Sequence, residues 1–301
     1  MRGADTIVRP IVERITRPLD RCGIMYRVFF RVKSEESISK KLLIKRDSYS
    51  PDGKRMQDLL GIRITLYFSD DVELVHSCLK SDEYYVEESV NEVRTDTFCP
   101  KVLNIVRRVP EQSLKDFHEL KSSYQGSELI DDTYEVQLRT VLSEGWHEVE
   151  HDLRYKWKDD WQDYKDYSRL LNGVFATLET SEWSMLSIFD NLAHSHYKSH
   201  NWDAMLRNKM RIRLQSSNGN GLSDSAKAIL ESNKDIARAI FRTPRSKILN
   251  AIMQSKFSMP HQYDTVLHII NRLGVKNLDV QNLEKEILSA ELDKMLSYLN
   301  H

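Results

Sequence analysis

Two short stretches constrain the fold more than anything else in this chain. In Gly61–Phe68, Ile62, Ile64, Leu66 and Phe68 alternate with Arg63, Thr65 and Tyr67, and in Tyr134–Thr140, Val136 and Leu138 alternate with Glu135, Gln137 and Arg139. Alternation of period two marks a strand whose successive side chains point to opposite faces. One face is apolar and must be buried. The other carries both signs of charge and must meet solvent or a ligand. A sheet built from such strands is covered on one side and chemically active on the other.

Further elements can be read around these two. Tyr26–Val32 is strand-like, and two more short strands are expected near 84–94 and 102–109. Ser34 caps a helix running to Ile44, with Glu35 and Glu36 in the first turn where the helix dipole favours negative charge. Asp71–Lys80 reads as a helix. Another follows Thr140, with Trp146, Val149, Leu153 and Trp157 at helical spacing. Residues 6–26 carry Ile7, Ile11, Ile15 and Leu19 at four-residue intervals, a packing helix at the domain edge interrupted by Pro10 and Pro18. Strands mixed with helices without strict alternation define an α+β class, a mixed sheet with helices packed on one face.

Strand signals stop near residue 165. Residues 167–195 form one long amphipathic helix with Leu170, Leu171, Val174, Phe175, Leu178 and Met185 among its apolar positions. A polar break at 215–224 precedes helices expected at 224–242, 244–256, 261–273 and 280–299. The expected organisation is 1–165 as the mixed domain, 166–214 as a helical extension, 215–224 as a linker and 225–301 as a helical module.

At 301 residues the chain can bury one large core or two modest ones. The net charge of -1 argues against a coat for nucleic acid, although positive charge gathers locally at Lys40–Lys45 and Arg107–Arg108. Three widely spaced cysteines, Cys22, Cys78 and Cys99, indicate neither a disulfide framework nor a zinc site. No apolar run reaches the length of a membrane span and no signal-peptide core is seen, so a cytoplasmic protein without a membrane partner is expected.

The charged positions follow a definite order. Arg31 and Lys33 leave the same face of an extended stretch. Ser37 and Lys41 share a face of the next helix, whose N-terminus offers unsatisfied N–H groups to a phosphate. Asp58 precedes a strand that begins at Gly61 and carries Arg63. Glu135, Gln137, Arg139 and Thr140 follow on the second strand, then Trp146, Glu150 and His151 on the helix after it.

This series, covering roughly residues 20–160, resembles the synthetase domain of the RelA/SpoT family, the enzymes that make the alarmones (p)ppGpp, and so implies the nucleotidyltransferase-like fold of that domain. The resemblance implies that Arg31, Lys33, Ser37, Lys41 and Arg63 bind ATP, with Arg31 and Arg63 sandwiching the adenine. It implies that Asp58 and Glu135 are the catalytic pair and support Mg²⁺, Glu135 also activating the acceptor 3'-hydroxyl. Magnesium needs only one or two carboxylates beside phosphate and water. Lys101, Gln137 and Arg139 are the expected acceptor-binding residues. His151 either orients Glu135 or caps a core hydrogen bond, and Trp146 is expected in the core.

The acceptor half departs from the family. The family's G-Y-x-S-x-H segment, whose tyrosine stacks on guanine, has no counterpart here. Asp96 and Pro100–Lys101 resemble the run that normally precedes it. Glu144 replaces an asparagine and reads as a poor neighbour for a GDP phosphate. Pro110–Asp132 is a long connection with Lys115, Lys121 and Tyr124, the last a candidate replacement for the stacking ring. The family's metal-dependent hydrolase domain has no room upstream of Arg31.

Three readings follow. One is transfer of the β,γ-pyrophosphate of ATP to the 3'-hydroxyl of GDP or GTP. Another is transfer to the 3' end of tRNA, as toxic small members do, with an antitoxin-like partner or the helical C-terminal third as neutralising element. The third is a degenerate nucleotide-binding regulatory module. A homo-oligomer is a further expected partner state.

Overall fold

The structure, a computed structural model, describes residues 2–44, 46–90, 103–215 and 221–299. It divides into two units, Met1–Thr16 with Tyr26–Glu182, and Arg17–Met25 with Trp183–His301. The first unit is built on a mixed sheet of strands β1 (Tyr26–Val32), β2 (Leu60–Leu66), β3 (Tyr85–Val90), β4 (Leu103–Arg108) and β5 (Thr133–Thr140). Their spatial order is β1-β2-β5-β4-β3. β2 and β5 run parallel at the centre and every other neighbouring pair is antiparallel.

Helix α1 covers Arg2–Cys22, α2 Glu35–Ile44, α3 Ser69–Lys80, α4 Glu111–Ser122 and α5 Val141–Val149. In the first unit the apolar side of the sheet and the helices on it bury Ile62, Ile64, Leu66, Val136 and Leu138 together with Ile7, Ile11, Leu74, Val75 and Leu79. Ile15 is buried as well, and α1 continues through Pro10 and Pro18 without a break. An interior proline costs a helix about 3 kcal/mol, so the buried stripe outweighs the loss of local hydrogen bonds. The expected interruption is not seen. Ser34 caps α2 as expected, accepting from the Ser37 N–H at 3.3 Å.

Two local expectations are corrected. Pro110–Asp132, read as a connection, contains α4, with Ser113 and Phe117 buried beneath it. The helix after Thr140 ends at Val149 and passes into a π-helical turn, Glu150–Tyr155. The wider turn holds one extra residue, which rotates the following side chains by about 100°. The expected stripe is already exposed at Val149 before this turn, at 46%, and Leu153 and Trp157 are 61% and 60% exposed, whereas Trp146 is buried and donates its ring N–H to the Leu171 carbonyl at 2.8 Å.

After a short α6 (Lys158–Trp161), α7 runs from Lys165 to Lys198. The second unit is helical throughout its described residues. It comprises α8 (Trp202–Met210), α9 (Asp224–Ser232), α10 (Lys234–Arg242), α11 (Arg245–Gln254), α12 (Tyr263–Ile270), α13 (Leu278–Gln281) and α14 (Glu286–Leu299). Its core contains Leu206, Ile240, Leu249, Ile252, Leu267, Ile270 and Leu292. Arg272 forks onto the buried Glu284 carboxylate at 2.7 and 2.9 Å, satisfying both charges. Residues 216–220, the middle of the expected linker, lie outside the described residues. No helix among those described is long and apolar enough to cross a membrane.

Candidate active site

Strand register aligns the charged residues on one face of the sheet. Arg31 of β1 lies opposite Gly61 of β2, and Gly61 lies beside Glu135 of β5. One step further along, Phe29, Arg63 and Gln137 form the next row, and beyond it come Arg27, Thr65 and Arg139. Residues opposite each other in register share a face and a neighbourhood. Gly61 presents no side chain between Arg31 and Glu135. A Cβ built there would meet the Arg31 Cγ at 3.9 Å, so its value is open space across the row rather than an obligatory backbone conformation.

Over this face lies an open cavity of about 230 Å³. Its wall includes Arg31, Lys33, Asp58, Arg63, Glu135 and Gln137, so residues from three separate sequence segments meet at one place.

At one end, Asp58 is held by two ammonium groups. Its Oδ2 accepts from Lys41 Nζ at 2.6 Å and from Lys33 Nζ. Burial acts to raise the Asp58 pKa, but the Lys33 and Lys41 charges overcome it and hold the carboxyl below its ordinary range. Lys33 is itself lowered, because burial outweighs the attraction of Asp58. Lys41 pays a smaller burial penalty and is raised by the same carboxylate. Asp58 Oδ1 is buried and has no hydrogen-bond partner. A carboxylate with one oxygen occupied and the other buried and unsatisfied fits a cation contact. Glu135, on the same cavity, receives a hydrogen bond from Gln137 Nε2 at 3.1 Å. These two carboxylates fit Mg²⁺, which takes one or two from protein and completes its shell with phosphate and water. Among the described residues no cluster of three or more metal-ligating side chains occurs, so any Mg²⁺ here depends on the nucleotide for its remaining ligands.

At the other end, Arg63 is fixed by its edge. Nη1 donates to Glu144 at 2.5 Å and to Glu148, and Nε donates to Gln137 Oε1 at 3.2 Å. Glu144 and Glu148 are i,i+4 on α5 and reach back over the sheet together. Hydrogen bonds at the edge of a guanidinium leave its flat faces available for stacking. Glu144, expected to oppose an acceptor phosphate, is thus engaged with Arg63.

Arg139 has no such arrangement. It is 8% exposed, and its Nε and Nη1 have no hydrogen-bond partner. Burial pushes its pKa down to about 10. His147 of α5 is pushed down to about 3, first by burial and then by the Arg139 and Arg63 charges, so it is neutral.

The remaining expected residues are placed as follows. Ser37 is exposed on the first turn of α2, its Oγ 2.9 Å from that of Ser34. Lys101, with Asp96 and Pro100, lies outside the described residues. His151 neither orients Glu135 nor caps a core bond; its Nδ1 lies 2.9 Å from Asp152 Oδ1 at the surface. Tyr124 is half-buried, with its hydroxyl 3.4 Å from the Lys33 carbonyl oxygen, beside the Asp58 end of the cavity. The sequence reading missed Glu148, His147 and Phe29. The i,i+4 spacing of Glu144 and Glu148 was the available signal for the first. Nothing in the sequence distinguishes His147 from a surface histidine.

The fold and this face define an α+β architecture with cations and two carboxylates on a single sheet surface. Residues 30–160 match the family described as "Region found in RelA / SpoT proteins". The match covers less than half of the chain. Among solved structures, small alarmone synthetase 2 from Bacillus subtilis is similar at 21% identity, with a TM-score of 0.45 over 62% of this chain and 91% of that one. Small alarmone synthetase 1 from Bacillus subtilis gives 21% identity and a TM-score of 0.44 over 61% and 93%. A GTP pyrophosphokinase family protein from Streptococcus pneumoniae gives 19% and 0.46 over 63% and 90%. No curated protein matches the chain.

Proposed function

We propose that this chain is a Mg²⁺-dependent pyrophosphokinase that transfers the β,γ-pyrophosphate of ATP to the 3'-hydroxyl of a guanosine nucleotide, GDP or GTP. The observation that carries this reading is the convergence of Arg31, Lys33, Asp58, Arg63 and Glu135 on one open cavity. These residues are drawn from separated segments and brought together by strand register. Pyrophosphoryl transfer needs little covalent help from protein; it needs positioned phosphates and neutralised charge.

In this reading the adenine stacks on the flat faces of Arg31 and Arg63. Lys33 and Lys41 turn from Asp58 to the phosphates, with Ser37 and the α2 N-terminus beside them. Bound Mg²⁺, held by Asp58 and Glu135 with the phosphates, would neutralise charge on the transferring group. Glu135, oriented by Gln137, takes the proton of the acceptor hydroxyl. The 3'-oxygen forms a bond to the β-phosphorus, the bond from that phosphorus to the oxygen bridging to the α-phosphate breaks, and AMP leaves with the electron pair. Arg139, Gln137 and Lys101 are assigned to the acceptor.

Incubation of the purified chain with γ-³²P-labelled ATP, offering GDP, GTP and bulk tRNA in parallel, tests the proposal. Labelled guanosine product is expected. Label on tRNA instead would move the reading to tRNA 3' ends. Label on no acceptor, from a protein that binds ATP, would leave a regulatory nucleotide-binding module.

A further inference from the structure

Phe29 stands in the middle row of the charged face, directly across β1–β2 from Arg63 and two residues before Arg31. It lines the same cavity and is 52% exposed. Single exposed apolar side chains are ordinary on protein surfaces. An aromatic ring in the wall of a cavity that also holds Arg31, Lys33, Asp58, Arg63 and Glu135, with Phe30 as a second ring beside it, is a different matter. β1 lies at the edge of the sheet, so nothing beyond it on the strand side covers the ring. The neighbouring rows supply what the phosphates and the metal need, and none of their members is a ring.

Resting on the nucleotide-site reading above, we infer that Phe29 is a base-stacking residue of this cavity, holding the purine of the ATP donor together with Arg31 and Arg63. Two features of the site support the donor rather than the acceptor. Phe29 shares its strand and face with Arg31 and leads directly to Lys33, which with Lys41 and Asp58 forms the phosphate end. Arg63 is fixed at its edge by Glu144, Glu148 and Gln137, so its plane has a set orientation beside Phe29. A ring next to that plane extends the flat surface on which a base can lie. Stacking on an aromatic ring tolerates any base, because each presents a π-face. Selection of adenine over guanine would then depend on polar groups elsewhere in the cavity.

The test is equilibrium binding of Mg²⁺–ATP and of Mg²⁺–tripolyphosphate, which lacks a base, to the full chain and to Phe29→Ala, Phe29→Leu and Phe29→Trp, with thermal melting of each. Loss of stacking on one ring predicts ATP binding weakened roughly 5- to 150-fold in Phe29→Ala. Phe29→Leu should be weakened nearly as much, since it restores apolar bulk but no ring. Phe29→Trp should return to near wild type. Tripolyphosphate should bind all four proteins alike. Wild-type ATP affinity in Phe29→Ala overturns the inference, and so does equal loss of ATP and tripolyphosphate, which would mean collapse of the site. If the unaltered chain binds tripolyphosphate but not ATP or GDP, the nucleotide reading itself falls, and Phe29 with it.

Discussion

Asp58→Asn is the most informative single change, because Asp58 has two tasks that the structure separates. In the ligand-free protein it is the counter-ion of both Lys33 and Lys41, whose side chains are 18% and 26% exposed against its own 20%. Asparagine keeps the shape and removes the charge. Two ammonium groups that shared one oxygen lie about 4–5 Å apart, a repulsion of roughly 3–4 kcal/mol at an effective dielectric of 20. Partial exposure screens this, and Lys33, already lowered by burial, can shed its proton to relieve it. A net loss of about 1–3 kcal/mol is expected, below the 3–5 kcal/mol typical of a fully buried broken pair. For a unit of this size that is a fall in Tm of about 2–12 °C.

The diagnostic step is addition of inorganic tripolyphosphate. It supplies the anion the two lysines have lost, so it should stabilise Asp58→Asn more than the unaltered chain, in which Asp58 competes for the same lysines. Saturation at a hundred times Kd contributes about 2.7 kcal/mol, enough to close the gap. Pyrophosphate transfer should be abolished throughout. The unaltered protein should also show an acid limb that the variant lacks. The Lys33 and Lys41 charges hold the Asp58 carboxyl below the ordinary carboxylate range, so its contribution is complete above about pH 5 and is lost as pH falls through that range toward the folded value. Differential scanning with and without tripolyphosphate, from pH 3 to 7, reads all of this. A wild-type Tm for Asp58→Asn without ligand, or equal stabilisation of both proteins by tripolyphosphate, would refute the reasoning.

Glu135→Gln should abolish product formation with little change in Tm, since its one hydrogen bond, from Gln137, survives the change; retained turnover in the γ-³²P assay would remove it from the catalytic pair. Arg63→Lys should weaken ATP binding by about tenfold despite conserved charge, because an ammonium cannot stack as a plane or bridge Gln137, Glu144 and Glu148 together; unchanged affinity by calorimetry would end the adenine assignment. Arg139→Met should raise Tm while weakening GDP binding, since a buried cation with two unsatisfied nitrogens is replaced by an apolar chain of similar length, a change worth about 1–4 kcal/mol in comparable cases; a fall in Tm would show that Arg139 is already satisfied.

The sheet was legible because its signal is local. Alternation in Gly61–Phe68 and Tyr134–Thr140 fixes which side chains share a face, and once β2 and β5 pair in parallel, Arg63 must fall beside Gln137 and Gly61 beside Glu135. Ser34, Asp71–Lys80 and Arg245–Gln254 were readable from caps and apolar spacing for the same reason, whereas the helices expected whole at 224–242 and 280–299 are each divided, the first at Asn233, which caps Lys234–Arg242, and the second between Gln281 and Glu286. What escaped depends on contacts between distant segments. Of the stripe Trp146, Val149, Leu153 and Trp157, only Trp146 is buried, because Phe175 and the Leu171 carbonyl meet it from a distant helix, and the π-helical turn from Glu150 is encoded by no short-range pattern. The burial of Arg139 contradicts its alternation with Val136 and Leu138, which assigns it to an open face. Its burial belongs to the tertiary structure around the end of β5, not to the strand.

Glu144 illustrates how a charge can be read correctly in sequence and still be assigned the wrong effect. In isolation a carboxylate in that position repels a phosphate. In the folded protein it shares Arg63 with Glu148, and the nearby Arg139 supplies a second cation. Two carboxylates and two guanidinium groups sum to neutrality, so this end of the cavity does not repel an anion. It merely fails to attract one strongly. The other end differs, since Lys33 and Lys41 share the single charge of Asp58 and leave one positive charge in excess, while Arg31 and Glu135 in the adjoining row offset each other. A nucleotide entering this cavity is therefore drawn phosphate-first to the Asp58 end. The base is left toward Phe29 and Arg63, where the flat surfaces are. The donor half of the proposed reaction is favoured by charge, and in that proposal the neutral end holds its acceptor through Arg139 and Gln137 rather than through an excess of positive charge.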